Sequence, residues 1–296
     1  LLFAGGIRRK KRYSREDRKE DTGMKQNLHT HCRFCDGKDT IEDLVRTAID
    51  KGFDSLGFSS HGYAHPLDTC SLDDEREAAY IYSVMEARIR YKDRLKIWLG
   101  IEEDLTGRIY ADPAFDYVIA SCHFIPTPSG EWKPVDYSPE KAREILEEDF
   151  GGDFLAYARA YYREVKKIAA RPEADIVGHL DLLMKYNEQE AMHPFADPEY
   201  LALAQEAIDM LIASGKIFEI NTGAMSRGYR SEPYPHAILL QYIHDHGGKV
   251  CITSDCHARQ NLDCGFDIAR ARARAAGFDE VMVLTDNGFE PESLWD

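Results

Sequence analysis

The chain has 296 residues, 44% hydrophobic and 30% charged, a soluble globular composition at a length that suits one α/β barrel. Its formal charge of −15 argues against a nucleic-acid partner, and no apolar run nears the roughly 18 residues of a membrane span. Seven cysteines, an odd number with no secretory signal, point to reduced thiols and a cytoplasmic location.

Residues 1–23 hold eight Lys/Arg and four Asp/Glu without apolar periodicity, and are expected to be a disordered leader, native or added. Residues 24–296, carrying about −19, form the expected single domain. From Gln26 onward, strand and helix patterns alternate. The strand-like "QNLH" precedes an amphipathic helix "TIEDLVRTAIDKG", with Thr40 as N-cap and Gly52 just past its end. Next come strand "DSLGFSSH", a long helix through residues 73–94, and strands "KIWLGIEE" and "DYVIASCHF" with only a short segment between them. Two helices are expected around 139–149 and 153–170. Strands "DIVGHLD", "KIFEINTG" and "KVCITSD" then alternate with three further helices, and an apolar run "EVMVLT" ends the pattern. The strands are nearly continuous apolar runs, as in a parallel sheet covered on both faces, and repeated βα units close most economically into a barrel.

Ligand-type side chains collect at the C-terminal ends of these strands. His29 and His31 follow the first strand, His61 the second, Glu102 the third, His123 the fourth, His179 the fifth, and Asp255 with His257 the seventh. In a βα barrel those ends meet at one rim, where active sites form. Spacing i, i+2 in a strand puts His29 and His31 on one face. With Asp36 there are nine candidates, more than one ion can use, which points to two or three metals able to activate a bridging hydroxide and clamp an ester. His244 and His246 lie near a helix end and read as capping residues, while His65, His193 and His236 read as solvated or supporting. Cys32-x-x-Cys35 has no second pair to complete a structural zinc site, so both cysteines read as packing around the first loop.

"HTHCRFCDG", "GFSSH", "GIEED", "SCHF", "GHLD" and "TSDCH", in that order, resemble the PHP (polymerase and histidinol phosphatase) metallohydrolases. "FEINTGAMSRGYRSEPYP" resembles the histidinol-phosphatase branch. The resemblance implies a distorted (β/α)7 barrel, with the eighth run "EVMVLT" peripheral. It implies hydrolysis of L-histidinol phosphate in histidine biosynthesis by a metal-bridging hydroxide at a trinuclear site. It also implies a ligand partition. His29, His31, Glu102 and Asp255 hold one ion, Glu102, His123 and His179 a second, and Asp36, His61 and His257 a third. Glu102, Asp255 and His257 are then the catalytic residues, and the ions are divalent Zn, Fe or Mn. A phosphate dianion also needs basic side chains, for which Arg227, Arg230 and Lys185 are candidates, while Asn221 orients the sixth-strand loop or a substrate group. Glu103 and Asp181 are expected as an acidic rim attracting a cationic substrate. The alternative keeps the site and changes the substrate to another small phosphate ester or nucleotide.

Overall fold

The computed structural model describes residues 23–64, 66–190 and 194–295. The expected leader, apart from Gly23, lies outside the described residues, as do His65 and His193.

Seven parallel strands form one sheet in chain order: β1 (Gln26–Asn27), β2 (Ser55–Phe58), β3 (Lys96–Asp104), β4 (Tyr117–Ser121), β5 (Ile176–Val177), β6 (Ile217–Asn221) and β7 (Lys249–Thr253). The two ends of the sheet meet just beyond β1 and β7, where Thr30 and Cys256 form a parallel bridge. There His31 N donates to Cys256 O at 2.8 Å and Cys256 N to His29 O at 3.0 Å. The barrel is therefore stitched shut at the level of the first two candidate ligands. A second bridge joins His61 to Glu102.

Helices α1 (Ile41–Asp50), α2 (Asp74–Tyr91), α3 (Pro139–Glu144), α4 (Phe154–Val165), α5 (Pro198–Ala213), α6 (Ala237–Asp245) and α7 (Phe266–Ala275) cover the outside. Thr40 caps α1, and with Asp43 it makes a reciprocal capping box. Two expected helices change character before their ends. After α3 the chain widens into a π-turn over Ile145–Asp149, and after α4 it tightens into a 3-10 turn over Lys166–Ala170.

Two short antiparallel hairpins depart from the βα pattern. Phe124–Pro126 pairs with Trp132–Pro134 directly after β4, on the ligand-bearing side of the barrel. The run "EVMVLT" becomes a strand (Glu280–Thr285) pairing with Gly288–Ser293, outside the barrel sheet. Met282 and Leu284 pack against Leu28, Trp98, Tyr117 and Ile176, and the Gln26 side chain bonds both N and O of Leu284. Burying those groups against a hairpin keeps water from the lower barrel, so polar chemistry is confined to the opposite rim.

Candidate metal centre

All nine candidate ligands meet at the C-terminal ends of the strands. Glu102 is at the centre, fully buried, with its carboxylate 3.2 Å from His29 Nε2, 3.4 Å from His31 Nε2 and 3.1 Å from His61 Nδ1. On its other oxygen, His179 Nε2 lies at 3.2 Å and His123 Nε2 at 3.6 Å. Asp255 Oδ1 is 3.3 Å from His31 Nε2 and 3.3 Å from His257 Nδ1. Asp36 reaches His257 Nε2 at 3.0 Å and His61 Nε2 at 3.7 Å.

Two local features make room for this density. Asp255 has φ 46°, in the left-handed region that costs a non-glycine residue of order 1–3 kcal/mol, and this turn aims its carboxylate back into the barrel. Gly223 faces it, and a Cβ there would come within 2.6 Å of Asp255 Oδ2. Below Glu102, Ser121 Oγ donates to Oε1 at 2.6 Å, reached over Gly178, where a Cβ would overlap that hydroxyl.

The donor set fits divalent cations. Three groups of side chains present ligand atoms within 4.8 Å of one another: His29, His31 and Asp255; His31, Asp36, His61 and His257; and His61, Glu102 and His123. They overlap at His31 and His61, whereas the partition implied by resemblance shares only Glu102. His29 Nε2, His31 Nε2 and Glu102 Oε2 are all buried without a hydrogen-bond partner. Leaving such atoms unpaired costs about 1–3 kcal/mol each, and a cation accepting their lone pairs removes that cost.

Electrostatics divides the histidines. Burial disfavours a charged His29, but Glu219, Glu102 and Asp255 outweigh it and hold its pKa well above the ordinary value. Against the same burial, Glu102 and Asp104 raise His123 to about 9. Burial with His257 and His61 alongside pushes His31 down to about 3. Glu102 and Asp255 stay ionised although burial opposes it. His29, His61 and His123 depress the first, and Arg227, His29 and His257 the second.

The remaining sequence candidates separate. Arg227 lines the site, with Nη2 3.0 Å from Asp255 Oδ2 and Nη1 3.0 Å from His257 Nδ1. Lys185 also lines it, paired with Asp136 Oδ2 at 2.9 Å. Asn221 is buried and links Glu219 to Gly223 N, so it shapes the loop and does not meet the cleft. Arg230 is turned away. Its guanidinium donates to the carbonyls of Glu232, Met184 and Pro233 and stacks on Tyr234, so it secures the loop instead of facing a ligand. The acidic rim is corrected too. Glu103 is fully buried against Arg171 at 2.7 Å, and Asp181 accepts from His236 N, so neither lines the cleft. Cys35 Sγ lies 3.5 Å from His31 Nδ1, and Cys32 Sγ contacts Ser60, so the pair packs against the ligand loop.

Three carboxylates escaped the sequence reading. Glu219 accepts from His29 Nδ1 at 2.5 Å, from His179 N at 2.8 Å and from Thr253 Oγ1 at 2.5 Å. It thereby fixes the proton of His29 on Nδ1 and leaves Nε2 free to ligate. Asp104 does the same for His123 Nδ1 at 3.2 Å. The signal for Glu219 is a lone acidic residue inside the apolar run "KIFEIN", which a buried strand tolerates only when that residue is fully paired. Asp136 sits in the loop after the first hairpin, where no periodicity marks it.

A cleft of about 990 Å³ opens over the cluster, walled by the hairpin after β4 on one side and the loops after β2 and β7 on the others.

The PHP domain family profile matches residues 27–223. The histidinol-phosphatase of Bacillus subtilis is 25% identical over 82% of this chain and 96% of its own. The solved histidinol phosphate phosphatase of Lactococcus lactis, complexed with Zn, L-histidinol and phosphate, shares the fold. Its TM-score is 0.68 and its identity 22%, covering 90% of this chain and 98% of its own. A structure from Listeria monocytogenes shares it at a TM-score of 0.73 and 21% identity, covering 82% of this chain and 99% of its own.

Proposed function

The chain belongs to the PHP domain family, and from that premise we propose that it is a histidinol-phosphatase, hydrolysing L-histidinol phosphate to L-histidinol and phosphate. The observation that carries the reading is the rim cluster, in which three buried ligand atoms have no hydrogen-bond partner among the described residues and converge on one another beneath a cleft. Residues 24–296 form the catalytic domain in this reading, placed in the cytoplasm. No described helix is long and apolar enough to cross a membrane, and all seven cysteines are free.

The nine ligands would hold three divalent ions of Zn, Fe or Mn, using His29, His31, Asp36, His61, Glu102, His123, His179, Asp255 and His257. Ions bound there supply countercharge to phosphate oxygens and acidify water. The protein's own part is orientation. Glu219 and Asp104 keep His29 and His123 turned toward the centre. Arg227 is fixed by Asp255 and His257 and lines the cleft, so its guanidinium is placed to meet a phosphate oxygen. Lys185, held by Asp136, adds a second cation to the same wall.

The test is turnover of L-histidinol phosphate against a panel of small phosphate esters and nucleotides, alongside metal content per chain. Preference for histidinol phosphate with close to three ions per chain is expected. Equal turnover of the whole panel would replace this substrate with a general phosphoesterase activity.

A further inference from the structure

Six carboxylates among the described residues line the cleft, and one of them, Asp68, is taken up in its own exposed turn, where it accepts from Cys70 N. Asp36, Glu102, Asp104 and Asp255 are each turned onto imidazoles. Asp136 is not. Its Oδ2 pairs with Lys185 Nζ, while its Oδ1 carries no hydrogen bond among the described residues. The residue is firmly held, because Tyr186 OH donates to its carbonyl at 2.6 Å and Lys185 Nζ to the same oxygen at 3.1 Å. Its side chain is about a quarter exposed, and that exposure is to the cleft it lines.

A 2-aminoalkyl phosphate carries its ammonium only two carbons from the ester oxygen. When the phosphate sits on the ligand cluster beside Arg227, the acceptor for that ammonium must stand next to the cluster and not at the mouth. Asp136 stands there: the residue before it, Val135, donates its N–H to the His123 carbonyl at 2.9 Å, and Asp136 lines the cleft together with His123 and His179. A carboxylate can accept on one oxygen while its other keeps Lys185. Trp132, Tyr137 and Tyr186, from the same side of the cleft, offer aromatic surface for the rest of the molecule.

We propose that Asp136 is the specificity residue of this site: its free Oδ1 receives the α-ammonium of the substrate and selects 2-aminoalkyl phosphates over alkyl or aryl phosphates. The proposal rests on the phosphomonoesterase reading above.

The experiment compares kcat/KM for L-histidinol phosphate with that for imidazolylpropyl phosphate, the same ester without the amine, in the metal-loaded wild type and in Asp136→Asn. Losing a hydrogen bond to a charged group is expected to lower the ratio of the two on the order of 10- to 100-fold, chiefly through KM for the amine-bearing ester. Equal losses on both esters would mean that Asp136 serves only to hold Lys185 and would overturn the proposal. Should Asp136→Asn not fold, wild-type inhibition decides. L-Histidinol should inhibit at least about tenfold more tightly than imidazolylpropanol, and equal inhibition refutes the ammonium subsite. If the wild type hydrolyses neither ester, the function reading itself fails; if it prefers histidinol phosphate while the variant keeps that preference, only the role of Asp136 fails.

Discussion

Glu102 lies within 3.6 Å of five imidazoles, on four different segments of the chain. No other side chain here can substitute for its charge, so Glu102→Gln, which keeps the shape, is expected to remove both phosphatase activity and bound metal. Activity assay and elemental analysis check this, and retained metal with full turnover would contradict the ligand role. Glu219 acts one layer out. Glu219→Gln brings an amide that can donate to His29 Nδ1 and displace its proton, so metal affinity is expected to fall about 10- to 100-fold while the fold persists. Competition with a metallochromic chelator reads that change. The first carboxylate was legible from its strand-end position; the second was not, because nothing in "KIFEIN" says which strand residue lies across from His29. Glu103 was misjudged for a physical reason. Neighbours in a strand point to opposite faces, so a carboxylate next to the inward Glu102 had to leave the rim.

At the scale of elements, the βα rhythm was readable because each buried strand is an apolar run and each helix carries caps. Thr40 illustrates how local chemistry supports the site, since this N-cap of α1 lies four residues after Asp36 and its capping box fixes the exit of the ligand loop. Thr40→Ala is expected to cost about 0.5–2 kcal/mol by urea denaturation, with little change in kcat. A larger loss of activity than of stability would show that the cap also sets the position of Asp36. The hairpin after β4 was not legible. Its strands are three residues each, too short for a period to emerge, and they are placed by pairing with one another. Asp136 and the wall it belongs to were missed along with it. Arg230 was misjudged likewise: a charge after a strand is visible in sequence, but the turn that takes it to three carbonyls is not.

Across the whole molecule, the cluster couples metal binding to protons and to stability. His123 has a pKa of about 9 in the metal-free protein, above the ordinary value of about 6.5, so its imidazolium stabilises that fold fully below about pH 6.5. That contribution is lost as pH rises through about 9. Ligation needs the neutral ring, so metal must displace the proton anywhere below that point. His29 and His61, whose values also lie well above the ordinary one, add to the release, whereas His31, at about 3, is neutral already. Two trends then run the same way: as pH climbs, the metal-free fold weakens and metal binds more tightly. The gap in Tm between metal-loaded and chelated protein is therefore expected to widen from about pH 6 to about pH 9. Titration calorimetry in two buffers of different ionisation enthalpy, at about pH 7.5, should show at least about one proton released per chain. A gap that narrows, or metal uptake without proton release, would mean that these histidines stay protonated and that the cations are held by carboxylates alone.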